Sequence, residues 1–157
     1  MIFEWINYQL KDAGLVDSWM DAKAVAMTGI DQGWDAYWNA VIADAKNYPG
    51  CRDFCKIVRK NGMAVAAVVY GSYRGIATVS EIIVDPTRRG KGLGTQILRD
   101  LVAHCDELLC GQVHEFCAVI FPDNLPSQKA FTKAGFVLDH VHEDGTVLYY
   151  KMERACV

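Results

Sequence analysis

Along the first fifty residues, apolar positions recur at spacings of three and four. The stretches GLVDSWMDAKAVAMTG (14–29) and GWDAYWNAVIADAKNY (33–48) fit this period and predict helices, with Pro49 and Gly50 closing the second. The period then shortens. DFCKIVRKNGMAVAAVVYGS (53–72) reads as two strand-like runs joined by Asn61-Gly62, a strong hairpin signal. GIATVSEIIVDP (75–86) continues as a third strand, rich in β-branched residues and stopped at Pro86. Further on, Leu93, Ile97, Leu98, Leu101, Val102, Cys105 and Leu108 fall on one stripe, while Arg99, Asp100 and Asp106 fall off it. One long amphipathic helix is predicted there. EFCAVIFP (115–122) fits a buried strand, NLPSQKAFTKAG (124–135) a helix with Gly135 at its C-terminal end, and FVLDHVHEDGTVLYYKME (136–153) a hairpin turning at Asp144-Gly145. These elements predict an α/β fold built on a mixed sheet.

Composition narrows the class without changing the fold. At 157 residues the chain is sized for one domain, 1–157, and no repeat or linker divides it. No apolar run approaches bilayer length, and the opening MIFEWINYQLKD lacks the basic start of a secretory signal. A cytoplasmic protein without a membrane partner is expected. Six cysteines at irregular spacing, with no CxxC pair, favour free thiols; His104, Cys105, Cys110 and His114 lack paired-ligand spacing, so no metal site is expected.

The net charge of −3 hides an uneven distribution. Residues 51–100 hold nine bases and four acids, whereas both flanking segments are acidic. The basic excess coincides with RRGKGLGT, which follows a predicted strand and opens a predicted helix. Such a turn presents backbone N–H groups at the positive end of a helix dipole, and glycines let an anion approach without Cβ atoms in the way. An anionic small molecule fits this pattern better than a nucleic acid, which calls for a broad basic face. A P-loop and a GxGxxG fingerprint both have other spacings.

Arg89-Gly90-Lys91-Gly92-Leu93-Gly94 instead resembles the Arg/Gln-x-x-Gly-x-Gly/Ala signature of the GNAT superfamily of acyl-CoA N-acyltransferases. Val84-Asp85-Pro86 before it, and Asn124, Ser127, Lys133 and Gly135-Phe136 after it, follow that family's order over roughly residues 55–152. The resemblance implies a mixed, mostly antiparallel central sheet flanked by helices. It also implies acetyl-CoA as cofactor and direct transfer of its acetyl group to a primary amine in a ternary complex. By the same resemblance, the backbone of Arg89, Gly90, Lys91, Gly92, Leu93, Gly94 and Thr95 holds the coenzyme A diphosphate, with the Thr95 hydroxyl an extra donor and Arg88, Arg89 and Lys91 adding charge. Ile82, Ile83 and Val84 pair with the pantetheine arm. Asn124 and Ser127 match contact positions for the cofactor, with helix capping as the alternative reading.

Direct transfer needs a group to take a proton from the amine and one to meet the leaving thiolate. Glu81 is the candidate base, read as sharing a pleat face with Val79 and Ile83; an expected bulge leaves the reverse face open, and an ion pair with Arg74 is the alternative. Many family members carry Tyr four residues before the Gly of Gly-Phe. Here that cofactor-side position is Phe131, so either Tyr149 or Tyr150 on the final strand is the substitute proton donor or the thiolate leaves as the anion, stabilised by loop dipoles and water.

Trp19, Trp34, Tyr37 and Trp38 mingle with Asp17, Asp21, Asp31, Asp35 and Asp44 on the first helices, which suits either a cationic amine acceptor or a packed stripe with a solvated acidic face. A non-catalytic acyl-CoA-binding module is the competing function. Dimers are frequent in the family, so a homodimer is among the arrangements implied.

Overall fold

The computed structural model describes residues 1–154. Seven strands, β1 (Glu4–Asn7), β2 (Arg52–Lys60), β3 (Met63–Tyr73), β4 (Ile76–Val84), β5 (Glu115–Ile120), β6 (Val137–Val141) and β7 (Leu148–Glu153), form one sheet in the order β1-β2-β3-β4-β5-β7-β6. Every pair is antiparallel except β4–β5. Helices α1 (Ala13–Trp19), α2 (Ala22–Thr28) and α3 (Trp34–Ala45) precede β2; α4 (Leu93–Ala103) and α5 (Cys105–Leu109) connect β4 to β5; α6 (Leu125–Lys133) lies between β5 and β6. The mixed, mostly antiparallel α/β architecture expected from the sequence is the one observed. Asn61 and Gly62 take φ of 52° and 79°, the left-handed pair that a two-residue hairpin turn demands.

Each face of the sheet has its own core. On one, Ile97, Leu98 and Leu101 of α4 and Phe131 of α6 meet Val68, Tyr70 and Phe116. On the other, Val16 and Trp19 of α1 and Trp34 of α3 cover Cys55, Ile57, Ala67, Val69 and Ile83. Burial above all raises the Cys55 thiol to about 12, so it behaves as a core side chain. Cys51, Cys105, Cys110 and Cys117 are likewise free thiols, and Cys156 lies outside the described residues.

Three local expectations are corrected. The predicted first helix is two, because Asp21 leaves the helical region and caps a new start, its carboxylate accepting from Ala24 N at 2.9 Å. The helix after the glycines breaks at His104 (φ −119°) rather than running through Cys105 and Leu108. Asp100, placed off the apolar stripe, is only 5% exposed: it accepts from Trp5 Nε1 at 2.9 Å and Ile2 N at 3.3 Å, tying strand β1 to α4. Asp100→Ala strands the indole donor in the interior. The variant is expected to lose about 2–3 kcal/mol of stability, read as a lower urea midpoint at unchanged m-value.

Candidate active site

The parallel pairing of β4 with β5 covers only Ile76↔Glu115 to Thr78↔Cys117, yet β4 runs on to Val84 and β5 to Ile120. Beyond that point the strands part. The gap is a cleft of about 430 Å³ walled by residues 79–84 and 118–121. Gly90, Gly92 and the first turn of α4 border it, as do Asn124, Ser127, Ala130 and Phe131 from α6 and its cap. Lys23, Ala24, Met27 and Thr28 of α2 line it as well, a contribution the local sequence pattern did not signal.

The glycine loop behaves as its composition requires. Gly90 and Gly92 both have φ of 76°, and Gly92 is the N-cap of α4, so the backbone enters the helix through the left-handed region. Gly94 serves a different end. A Cβ there would lie 3.7 Å from that of Ala130, ordinary contact, so α6 packs close against α4 and an alanine fits equally well. Thr95 is buried at the cleft. Asn124 caps α6, its Oδ1 accepting from Ser127 N at 3.2 Å, and both residues also line the cleft.

Loop charge is distributed otherwise than expected. Arg89 borders the cleft, but its guanidinium is held by Asp21, Nη1 to Oδ2 at 2.8 Å and Nη2 to Oδ1 at 3.0 Å. Lys91 is exposed and does not line the cleft, whereas Arg88 does, 3.7 Å from Asp85. Of the expected basic trio, Arg88 alone borders the cleft without a bidentate carboxylate partner.

Glu81 is partly buried in the cleft wall. The register of β3 against β4 slips between Val69↔Glu81 and Tyr70↔Val79, leaving Ser80 as the bulged residue. The slip separates the faces: Val79 joins the α4 core while Ile83 joins the α1–α3 core. The expected shared face of Val79, Glu81 and Ile83 is therefore corrected. Val69, opposite Glu81, belongs to the same core as Ile83, so Glu81 sides with α3, where burial and then its own charge push the Tyr37 hydroxyl well above its ordinary value. Loss of water raises the Glu81 carboxyl from 4.5 to about 8. Arg74 is not its partner; it stacks over Tyr73, 4.9 Å from the ring centroid, in the β3–β4 turn.

The acid candidate fares less well. Phe131 is buried edge-on to Phe136 and has no proton to offer. Tyr149 stands on β7 beside Val119, its ring stacked on His140 at 4.3 Å, and does not line the cleft; neither does Tyr150, buried in the α4 core. The helix acids are also largely committed to structure. Asp17 accepts from Trp34 N at 2.8 Å and Asp35 from Tyr8 OH at 2.9 Å, so the packed-stripe reading holds for them, with Trp19 and Trp34 in the core.

A sheet prised open between two parallel strands, with a glycine loop and a helix N-terminus beside the opening, defines the acetyltransferase class. The chain belongs to the Acetyltransferase (GNAT) family, whose model matches residues 16–136. Among solved structures, it is similar to the aminoglycoside acetyltransferase AAC(6')-Ib in complex with coenzyme A, at 19% identity and a TM-score of 0.75, covering 97% of this chain and 95% of that one. An acetyltransferase from Thermus thermophilus superposes at 0.73 with 19% identity, covering 98% of both chains. The Campylobacter jejuni N-acetyltransferase PseH in complex with acetyl coenzyme A superposes at 0.66 with 13% identity, covering 98% and 99%. No curated protein matches the chain. Among the described residues, no helix is long and apolar enough to cross a membrane.

Proposed function

We propose that the chain, acting as one catalytic domain, moves an acetyl group from acetyl-CoA to the primary amine of a small molecule, by direct attack in a ternary complex. The observation carrying this reading is that Glu81 stands in the wall of the same cleft that the glycine loop borders. Acetyl-CoA, when bound, supplies the activated acyl group as a thioester. The loop amides from Arg89 to Thr95 bind its diphosphate, and the α4 dipole adds to their field. Ile82, Ile83 and Val84 have β3 on one side and no β5 partner on the other, so their main-chain groups are free to pair with an amide-bearing arm. Glu81 takes the proton that an ammonium must lose before it attacks. With Phe131 apolar and Tyr149 away from the cleft, the sulfur leaves as the thiolate and takes its proton from water.

A cationic acceptor now rests on strand carboxylates rather than the helix acids. Neither Glu81 nor Asp53 has an ion-pair partner among the described residues. Glu81 lines the cleft, whereas Asp53 lies over Gly71 outside it, and burial raises the Asp53 carboxyl above the ordinary value. A thermal-shift panel tests the cofactor. Acetyl-CoA at a hundredfold excess over its Kd is expected to add about 2.7 kcal/mol of stability, and ATP or NAD nothing. Thiol release with an amine panel then tests turnover, with cationic amines the better substrates. Equal shifts from ATP overturn the cofactor reading; binding without thiol release from any amine leaves the acyl-CoA-binding module instead.

A further inference from the structure

A Cβ on Gly90 or Gly92 would meet nothing within 4 Å, so space is open around these glycines, while Leu93 and Thr95, both buried, anchor the loop at its helix end. Its N-terminal side is tied to the rest of the fold by side chains: Arg88 Nη2 approaches Met63 Sδ at 3.7 Å, and Arg89 pairs with Asp21, supported by Arg89 Nη2 to Trp19 O at 3.5 Å. Asp21 belongs to the opposite wall of the cleft. The same carboxylate that receives the guanidinium also caps α2 through Ala24 N, and α2 in turn lines the cleft with Lys23, Ala24, Met27 and Thr28. In that helix Ala24 is buried, and Val25, Met27 and Thr28 are partly buried. One carboxylate therefore bonds both the diphosphate loop and the start of α2. The guanidinium holds the Asp21 carboxyl down at about 2, so the link is ionised throughout the neutral range.

We propose that Asp21 is a positioning residue for the cofactor: its pair with Arg89 latches α2 to the diphosphate loop and presets the width of the cleft before acetyl-CoA enters. The proposal rests on the acetyl-CoA reading of the cleft. It assigns Arg89 a role distinct from phosphate binding, since the charge expected to face the diphosphate is spent on the latch. With the two side chains 29% and 43% exposed, the pair adds little to global stability, so its loss acts on the loop rather than on the fold.

Asp21→Asn isolates the latch, because asparagine caps a helix as well as aspartate does but carries no charge. Arg89→Gln breaks the same link from the other side. Each variant is expected to raise KM for acetyl-CoA about five-fold while kcat stays within two-fold, and the melting temperature moves little. The double variant is expected to be no worse than the poorer single, since both remove one interaction. The effect is also expected to shrink in high salt, where the wild-type pair is itself screened.

A fall in KM for Asp21→Asn would overturn the latch, because it would mean that the freed arginine turns to the phosphates and that Asp21 merely opposed it. Additive single effects, or an unchanged KM, overturn it too. Coenzyme A titration by calorimetry separates the failures: no binding to the wild-type protein overturns the cofactor reading and the latch together, whereas wild-type binding with an Asp21→Asn constant that is unchanged overturns the latch alone.

Discussion

Glu81→Gln is expected to lower kcat/KM by about 10²–10³-fold and to remove the rise near pH 8 from the pH profile. The carboxyl titrates near 8 in the folded protein, so below that value most molecules carry a protonated Glu81 that cannot accept the amine's proton. Wild-type activity should accordingly climb through about pH 8, whereas the residual rate of the glutamine variant should lack that step and rise only as the acceptor's own ammonium deprotonates at higher pH. A profile unmoved by the substitution would remove Glu81 from the base role. The same burial has a consequence for stability with a definite sign. Because the folded-state value lies above the ordinary 4.5, folding favours the protonated form; the full stability is present below about pH 4.5 and is lost as pH rises to about 8, with nothing further lost above. The size is on the order of 3–5 kcal/mol. Glu81→Gln should therefore be the more stable protein at about pH 8.5 and no more stable at about pH 4, measured by urea unfolding at both values. Gain of stability with loss of rate is the signature of a group held strained for chemistry.

The parts of the fold that follow from local rules are legible in the sequence itself. Asn61-Gly62 and Asp144-Gly145 announce their hairpins because few other residues tolerate positive φ, and the β-branched run at 75–86 announces β4. The glycine loop is legible for the same reason: Gly90 and Gly92 are needed where they stand. What escapes depends on partners far along the chain. Strand β1 is four residues long and becomes a strand only because β2 offers it an edge at Glu4↔Arg59 to Asn7↔Lys56. Asp100 looks like a surface residue until Trp5, 95 residues earlier, supplies its donor. Arg89 reads as a phosphate ligand until Asp21 claims it across 68 positions. The bulge at Ser80 is the most consequential of these. A pleat alternates by two, so a single extra residue moves Val79 and Ile83 to opposite cores, and the side of the sheet that Glu81 serves cannot be read from alternation alone.

Gly92→Val is expected to weaken coenzyme A binding by about a hundred-fold while costing the folded protein only about 1–2 kcal/mol. The two effects have different origins. At φ 76° a β-branched residue is strained whatever surrounds it, and that strain sets the stability loss. A Cβ at this position would meet nothing within 4 Å in the protein. On the proposed reading of the cleft, that open space is the diphosphate's approach to the amides at the start of α4. An isopropyl group there holds the anion away, and losing even one charge-assisted bond of about 1.5–3 kcal/mol accounts for most of the hundred-fold. Gly94→Ala is the matched control. Gly94 has ordinary helical geometry and its Cβ would rest 3.7 Å from that of Ala130, so the substitution should leave affinity within about two-fold and gain a few tenths of a kcal/mol in helix propensity. Isothermal titration with coenzyme A, paired with urea unfolding of each variant, separates the cases: equal weakening by both substitutions would mean that general disruption of the loop, and not approach of the anion to its amides, governs binding.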